Sequence, residues 1–208
     1  MANPGKINTR ILVQLALLTA IEIIFAFTIL GSVPIGPIVA TLAHIPVLIA
    51  AICLGWGPGI YMGALFGVCS MVWWTVNPLP TSFVFTPFIT VGDINGGIWS
   101  VIICFVPRIL LAVTATALYR VLSRRIKRPY LAAGTAAVVG SVVHTLLVLG
   151  GIYVFFGAQY AAAIGSSFEL LLGLIMTTVL TNGLPEAVIA GIVCGALVRP
   201  LGRLTQRT

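Results

Sequence analysis

Few side chains in this sequence are equipped for chemistry, and Arg108 is foremost among them. Of the 11 Lys and Arg residues it alone sits inside a long apolar stretch, Ile98 to Leu118, that holds no other charge. A guanidinium in hydrocarbon costs roughly 2.5–3.5 kcal/mol on insertion scales, so it ordinarily has a partner or a duty. The expectation is a site for something anionic. Pro107 beside it has no backbone N–H to donate, and so frees the carbonyl of Ile103, one turn back, as a further acceptor.

The other polar groups in apolar surroundings can be weighed singly. Glu22 and Glu186 each fall near the middle of a hydrophobic block. Either could neutralise Arg108, bind a coupling cation or be held neutral by its surroundings. Asn182 precedes Glu186 by four residues, which places both on one helix face. His44 opens one apolar block, before Ile45-Pro46, and His144 lies inside another, in Gly140-Ser141-Val142-Val143-His144. A lone histidine in such a block is commonly a hydrogen-bonded packing residue, but His144 gains weight from the anion site expected on the neighbouring helix. Asn77 offers a further amide, although Asn-Pro is also an ordinary turn.

Catalysis finds little support. Ser141 lies one turn before His144, but both are on one helix and no oxyanion donors accompany them. No HExxH, GxSxG or His/Cys metal spacing occurs. Cys53, Cys69, Cys104 and Cys194 lie in apolar segments without CxxC spacing, and read as small buried residues rather than ligands or disulfides.

These groups need a membrane to position them, and composition supplies one. The chain is 60% hydrophobic and 7% charged, with mean hydropathy +1.16, against about 25% charged residues in soluble domains. A helix crossing about 30 Å needs roughly 20 residues. The apolar blocks predict an all-α integral membrane protein, one domain over 1–208 with six transmembrane helices at about 9–30, 38–54, 58–76, 98–119, 131–156 and 168–198. The first block is longer than a typical signal-peptide core and carries Glu22, so it is read as a helix. The last exceeds one crossing; it is tilted, kinked near Gly183-Leu184-Pro185, or begins outside the membrane.

Orientation follows from the other basic residues. Lys6 and Arg10 precede the first helix, Arg120, Arg124, Arg125, Lys127 and Arg128 lie between the fourth and fifth, and Arg199, Arg203 and Arg207 end the chain. An even number of spans puts these clusters on one face, and the positive-inside rule makes that face, with both termini, cytoplasmic. The net charge of +7 thus reflects topology and contact with anionic lipid in the bilayer, and no nucleic-acid partner is expected. Arg108 then lies about 14 Å along its helix from Trp99 and about 18 Å from Arg120, near the midplane. Above it the insert 77–97 is long enough to act as a lid. Trp73, Trp74, Phe83, Phe85 and Phe88 give that lid an apolar underside, and Trp74 is grouped with the site residues. Trp73 and Trp74 also suit an interface belt.

Small residues at four-residue spacing mark close helix contacts in lipid. Gly59, Gly63 and Gly67, and Ala187, Gly191 and Gly195, read as packing within one bundle. Ala16 and Ala20, on the terminal helix, suit contact with another subunit equally well. No phosphate-binding loop exists, since the only Gly-Lys is Gly5-Lys6 followed by Ile7. Six spans without internal repeats are also few for a self-sufficient carrier. Any solute therefore moves downhill, or partner subunits hydrolyse ATP.

At this point the residues carry a resemblance. Ala16-Leu17-Leu18-Thr19-Ala20, His44-Ile45-Pro46-Val47-Leu48-Ile49 and the glycine ladder after Leu54-Gly55 resemble the substrate-binding S components of energy-coupling factor (ECF) vitamin transporters. The blocks from Thr81 to Phe88, from Phe105 to Leu110 and from Thr181 to Ala187 resemble the pantothenate-specific S components in particular. That likeness implies a six-helix bundle that captures a vitamin from outside and closes external loops over it. It further implies a transmembrane coupling protein (T component) and two cytoplasmic ATPases as partners, which would carry the ATP and Mg; this chain would hold no cofactor. ATP hydrolysis would topple the S component to carry the site inward, and the alanine pair, here Ala16 and Ala20, would meet the coupling protein.

Pantothenate has one carboxylate, two hydroxyls and an amide, so it asks for a cation and several neutral hydrogen-bonding groups. Arg108 would take the carboxylate, with Asn77, His144 and Asn182 on the hydroxyls and amide and Glu186 orienting Arg108 or Asn182. Folate or biotin, also carboxylates, would fit the same logic. Two other classes stay open. A stand-alone facilitator or channel would oligomerise through the glycine ladders, and a structural subunit would keep Arg108 and Glu186 as a buried ion pair.

Overall fold

In lipid every backbone polar group must be satisfied within the protein, which turns long apolar runs into helices. The computed structural model describes residues 9–28, 31–35, 38–91 and 94–206. Lys6, Arg207, the expected end of the first span at 29–30 and the Gly36-Pro37 break lie outside the described residues. Helix α1 is Thr9–Phe27, α3 Trp56–Val76, α4 Ile98–Arg125 and α5 Pro129–Ala163. The last block forms α6 Phe168–Thr178, a π-helical turn Val179–Gly183, and α7 Leu184–Gln206. Among the described residues five stretches are long and apolar enough to cross a membrane: α1, α3, α4, α5 and the joined helix Phe168–Gly202.

Within the block expected to span at 38–54, the helix is shorter than expected. Strands β1 Ser32–Ile35 and β2 Ile38–Thr41 pair antiparallel as a hairpin, Ser32 opposite Thr41 and Ile35 opposite Ile38. Helical structure begins only after His44, as α2 Ile45–Ile49 running into a second π turn, Ala50–Leu54. The helix Ile45–Leu54 is thus about 15 Å long, half a bilayer core. Pro34 opposes a helix, whereas Pro46 suits the first helical turn. Non-helical backbone at this depth is tolerated where protein or a cavity covers it. Strand β2 lies against the π turn 179–183 and α7.

Short as it is, α2 is the axis of the core. Val47, Leu48, Ala50 and Ala51 are fully buried among α1, α3, α4 and α7. The Thr116 hydroxyl of α4 donates to the Ala51 carbonyl at 2.9 Å, filling an acceptor that the widened turn leaves open. Gly55 then reverses the chain at φ 92°, a conformation that disfavours any side chain.

The glycine ladders are internal seams. A Cβ added at Gly63 would come within 2.6 Å of the Arg108 carbonyl oxygen, and one at Gly67 within 2.8 Å of the Phe105 ring. The Cys104 thiol donates to the Gly67 carbonyl at 3.2 Å across the same contact. On α7, a Cβ at Gly191 would sit 2.6 Å from Val138 and one at Gly195 3.0 Å from the Tyr130 carbonyl oxygen of α5.

The insert 77–97 is bolted down at both ends. Thr75 and Thr86 share a hydroxyl–hydroxyl bond of 2.7 Å, and the Ser100 hydroxyl donates to the Phe83 carbonyl at 2.6 Å. Phe83 and Val84 are fully buried, Phe83 meeting Phe156 of α5 edge-on at 5.6 Å. A short pair, β3 Thr90–Val91 with β4 Ile94–Asn95, completes it. Phe88, expected on the apolar underside, instead faces out at 74% exposure.

Because the α3–α4 seam holds Arg108 in place, Gly63→Val should cost about 1–3 kcal/mol of stability by overpacking. Gly57→Ala, which meets nothing within 4 Å, should cost far less. Thermal unfolding of both purified variants compares them; equal midpoints would remove the seam from the argument.

Candidate ligand-binding site

One cavity of about 470 Å³ opens where α1, the base of the hairpin, α3, the insert and the later helices converge. That size is in the range of small-molecule pockets. Its cation is Arg108. Arg108 is 6% exposed, and its Nη1 donates to the Ile103 carbonyl at 2.7 Å, the acceptor left open by Pro107. Its Cζ lies over the rings of Phe66 of α3 and Phe85 of the insert, 5.4 Å and 5.5 Å from their centroids. Among the described residues Arg108 makes no ion pair, and Nε is buried without a hydrogen-bond partner. Glu22, offered by the sequence as a counter-ion, is fully buried elsewhere on α1, off the cavity wall, and both its oxygens lack a hydrogen bond.

Opposite the guanidinium stand two imidazoles. The rings of His44 and His144 lie 6.4 Å apart and nearly parallel at 17°, and His144 is 6.0 Å from Phe66. Among the described residues Nε2 of His144 is buried without a partner. The Ser141 hydroxyl is also without one, so no Ser–His pair forms. Asn182, in the π turn, and Glu186, in the first turn of α7, line the same cavity beside Thr178. Trp74 closes it with Phe85, their rings stacked at 5.0 Å.

Of the residues expected from the sequence, Arg108, His144, Asn182, Glu186 and Trp74 are therefore brought to one cavity. Asn77 is not. It ends α3, exposed, with Nδ2 folded back on the Trp73 carbonyl at 3.2 Å, because Pro78 after it stops the helix. His44, Phe66 and Thr145 complete the wall without having been expected as contacts. The signal for His44 was its place immediately before Ile45-Pro46, where a helix starts in mid-bundle.

With this geometry the comparisons with known proteins can be read. Residues 10–198 match the family described as "ECF transporter, substrate-specific component". The chain belongs to this family. It is therefore a multi-pass cell-membrane protein and a transporter component rather than an enzyme. The pantothenic acid transporter PanT of Lactococcus lactis subsp. cremoris is 39% identical over 166 residues, 79% of each chain. A solved structure of ThiT from Listeria monocytogenes superposes with a TM-score of 0.59 at 18% identity, covering 93% of this chain and 96% of that one. The second likeness speaks for a shared fold.

In this S component the Ile103 carbonyl and two aromatic rings hold the guanidinium. Pro107→Ala restores a backbone donor that competes for that carbonyl. The variant should fold at least as stably and bind its anionic ligand about tenfold more weakly, the worth of one charge-assisted hydrogen bond. Titration calorimetry reads the change, and unaltered affinity would show that Ile103 does not position the guanidinium.

Proposed function

We propose that this chain captures pantothenate outside the cell and delivers it inward as the substrate-binding subunit of an ECF importer. The observation that carries the reading is the Arg108 guanidinium, held in a 470 Å³ cavity without a carboxylate partner among the described residues. Identity of 39% with a pantothenic acid transporter supports the choice of vitamin. Arg108 takes the carboxylate, and Phe66 and Phe85 pack against its guanidinium. His144 and Asn182 meet the hydroxyls and amide, with Glu186 beside Asn182. Trp74 and Phe85 shield the bound molecule from above. Folate and biotin are the competing cargoes.

The membrane arrangement belongs to the same proposal. The single domain crosses six times, the hairpin and α2 together making the second crossing, with both termini cytoplasmic. Arg120 stacks on Trp56 at 5.3 Å and Arg199 on Tyr130 at 5.1 Å, which supports one basic end shared by α3, α4, α5 and α7. Partners are a transmembrane coupling protein and two ATPases that carry ATP and Mg. Ala16 and Ala20 lie exposed on α1 within a stripe that includes Leu12, Val13 and Leu17, a face suited to the coupling protein. A facilitator that oligomerises through the glycine ladders is disfavoured, because those glycines already meet α4 and α5.

Purified protein should bind pantothenate saturably and ignore thiamine and riboflavin; a preference for biotin or folate would replace the vitamin while keeping the class. Arg108→Ala should lower affinity by at least about a hundredfold, the cost of losing a buried ionic contact, while still inserting into the membrane. Wild-type affinity in that variant would take Arg108 out of the site. Ala16→Trp or Ala20→Trp should leave binding intact and stop uptake in cells that carry the partner subunits. Loss of binding in these variants would contradict the assignment of that face.

A further inference from the structure

A second concavity lies on the outer surface of the bundle and shares no lining residue with the vitamin cavity. It is a groove of about 690 Å³ between α5 and α7 at the basic end. Its floor is made by Gly134, Gly191 and Gly195, whose missing side chains let the two helices meet backbone to backbone. Larger exposed residues, Leu131 on α5 and Val188 and Ile192 on α7, rise on either side as walls. From Val188 to Arg199 the groove runs about 16 Å, close to the depth of one leaflet of a 30 Å hydrocarbon core.

The mouth of the groove is cationic and organised. Arg199 stacks on the Tyr130 ring at 5.1 Å, while Arg128 Nη1 donates to the Tyr130 hydroxyl at 3.4 Å. One tyrosine thus holds two guanidiniums where the groove reaches the polar boundary. No acidic residue falls in 120–135 or 195–206, so nothing in these segments neutralises them. A slot of leaflet depth, apolar along its length and doubly cationic at its headgroup end, complements a lipid with an acyl chain and a phosphate of net negative charge.

We propose that this groove is a binding site for an anionic phospholipid of the basic-side leaflet, acyl chain along the glycine floor and phosphate between Arg128 and Arg199. The site needs neither the vitamin nor the partner subunits. Native mass spectrometry of the full chain, titrated with phosphatidylglycerol, phosphatidylcholine and glycerol 3-phosphate, tests it. Phosphatidylglycerol should be retained about fivefold more tightly than phosphatidylcholine, the effect of about one basic contact, and glycerol 3-phosphate should not be retained. Arg199→Gln should erase the difference between the two lipids. Ala196→Phe and Thr135→Phe, at exposed positions on the groove wall, should each displace the chain and abolish retention of both lipids without lowering the lipid-free unfolding midpoint. Equal retention of the two lipids by wild type, retention of glycerol 3-phosphate, or unchanged retention in both phenylalanine variants would each overturn the proposal. So would phenylalanine variants that keep the lipid but lose the coupling protein, since the groove would then be a protein interface.

Discussion

A proline that cannot donate and an arginine that must: this pairing on α4 is the constraint around which the molecule is arranged. Pro107 leaves the Ile103 carbonyl open, and Arg108 closes on it at 2.7 Å. Burying a guanidinium otherwise demands a carboxylate, whose own negative charge would then compete with an anionic guest. Here the cation is held instead by a neutral carbonyl and two ring faces, which stabilise it while leaving its net charge intact. The surroundings follow from that need. The α3–α4 seam must be glycine at 63 and 67 so that Phe66, on the same helix, can come over the guanidinium. The insert must be anchored at Thr86 and Ser100 so that the Phe85 ring also packs against the guanidinium.

The helix starts only at Ile45, and His44 just before it lines the cavity with its ring nearly parallel to that of His144. Complete burial of α2 compensates for its shortness, since its apolar side chains are enclosed by four other helices.

Much of this was legible in the residues. The hydrophobic blocks located five long helices because a bilayer imposes one length on every crossing. Arg108, His144, Asn182 and Glu186 were legible because polar groups in apolar blocks are rare and few helix faces can hold them. The glycine ladders announced close contacts, although spacing could not say whether another helix of the chain or another subunit fills them. What escaped was set by tertiary context. The 38–54 block has the composition of a span, and the choice of strands there depends on cover from α7 and the π turn, which no local pattern encodes. Asn77 and Phe88 failed for a related reason: a residue's type marks what it could contact, whereas the direction of its Cβ at a helix end or in an insert is decided by the packing of its neighbours.

The π turn at Val179–Gly183 has a consequence of phase. In a regular α-helix, residues four apart drift by about 40° around the axis, and eight apart by about 80°. Thr178, Asn182 and Glu186 nevertheless all look into one cavity. The wider turn slows the rotation where they are set, and releases it in time for Gly191 and Gly195 to meet α5. One inserted residue thus lets a single helix serve two neighbours whose directions an unbroken spiral would not reconcile. Deleting one residue from that turn would leave the remaining side chains chemically intact and aim those beyond it at a different wall.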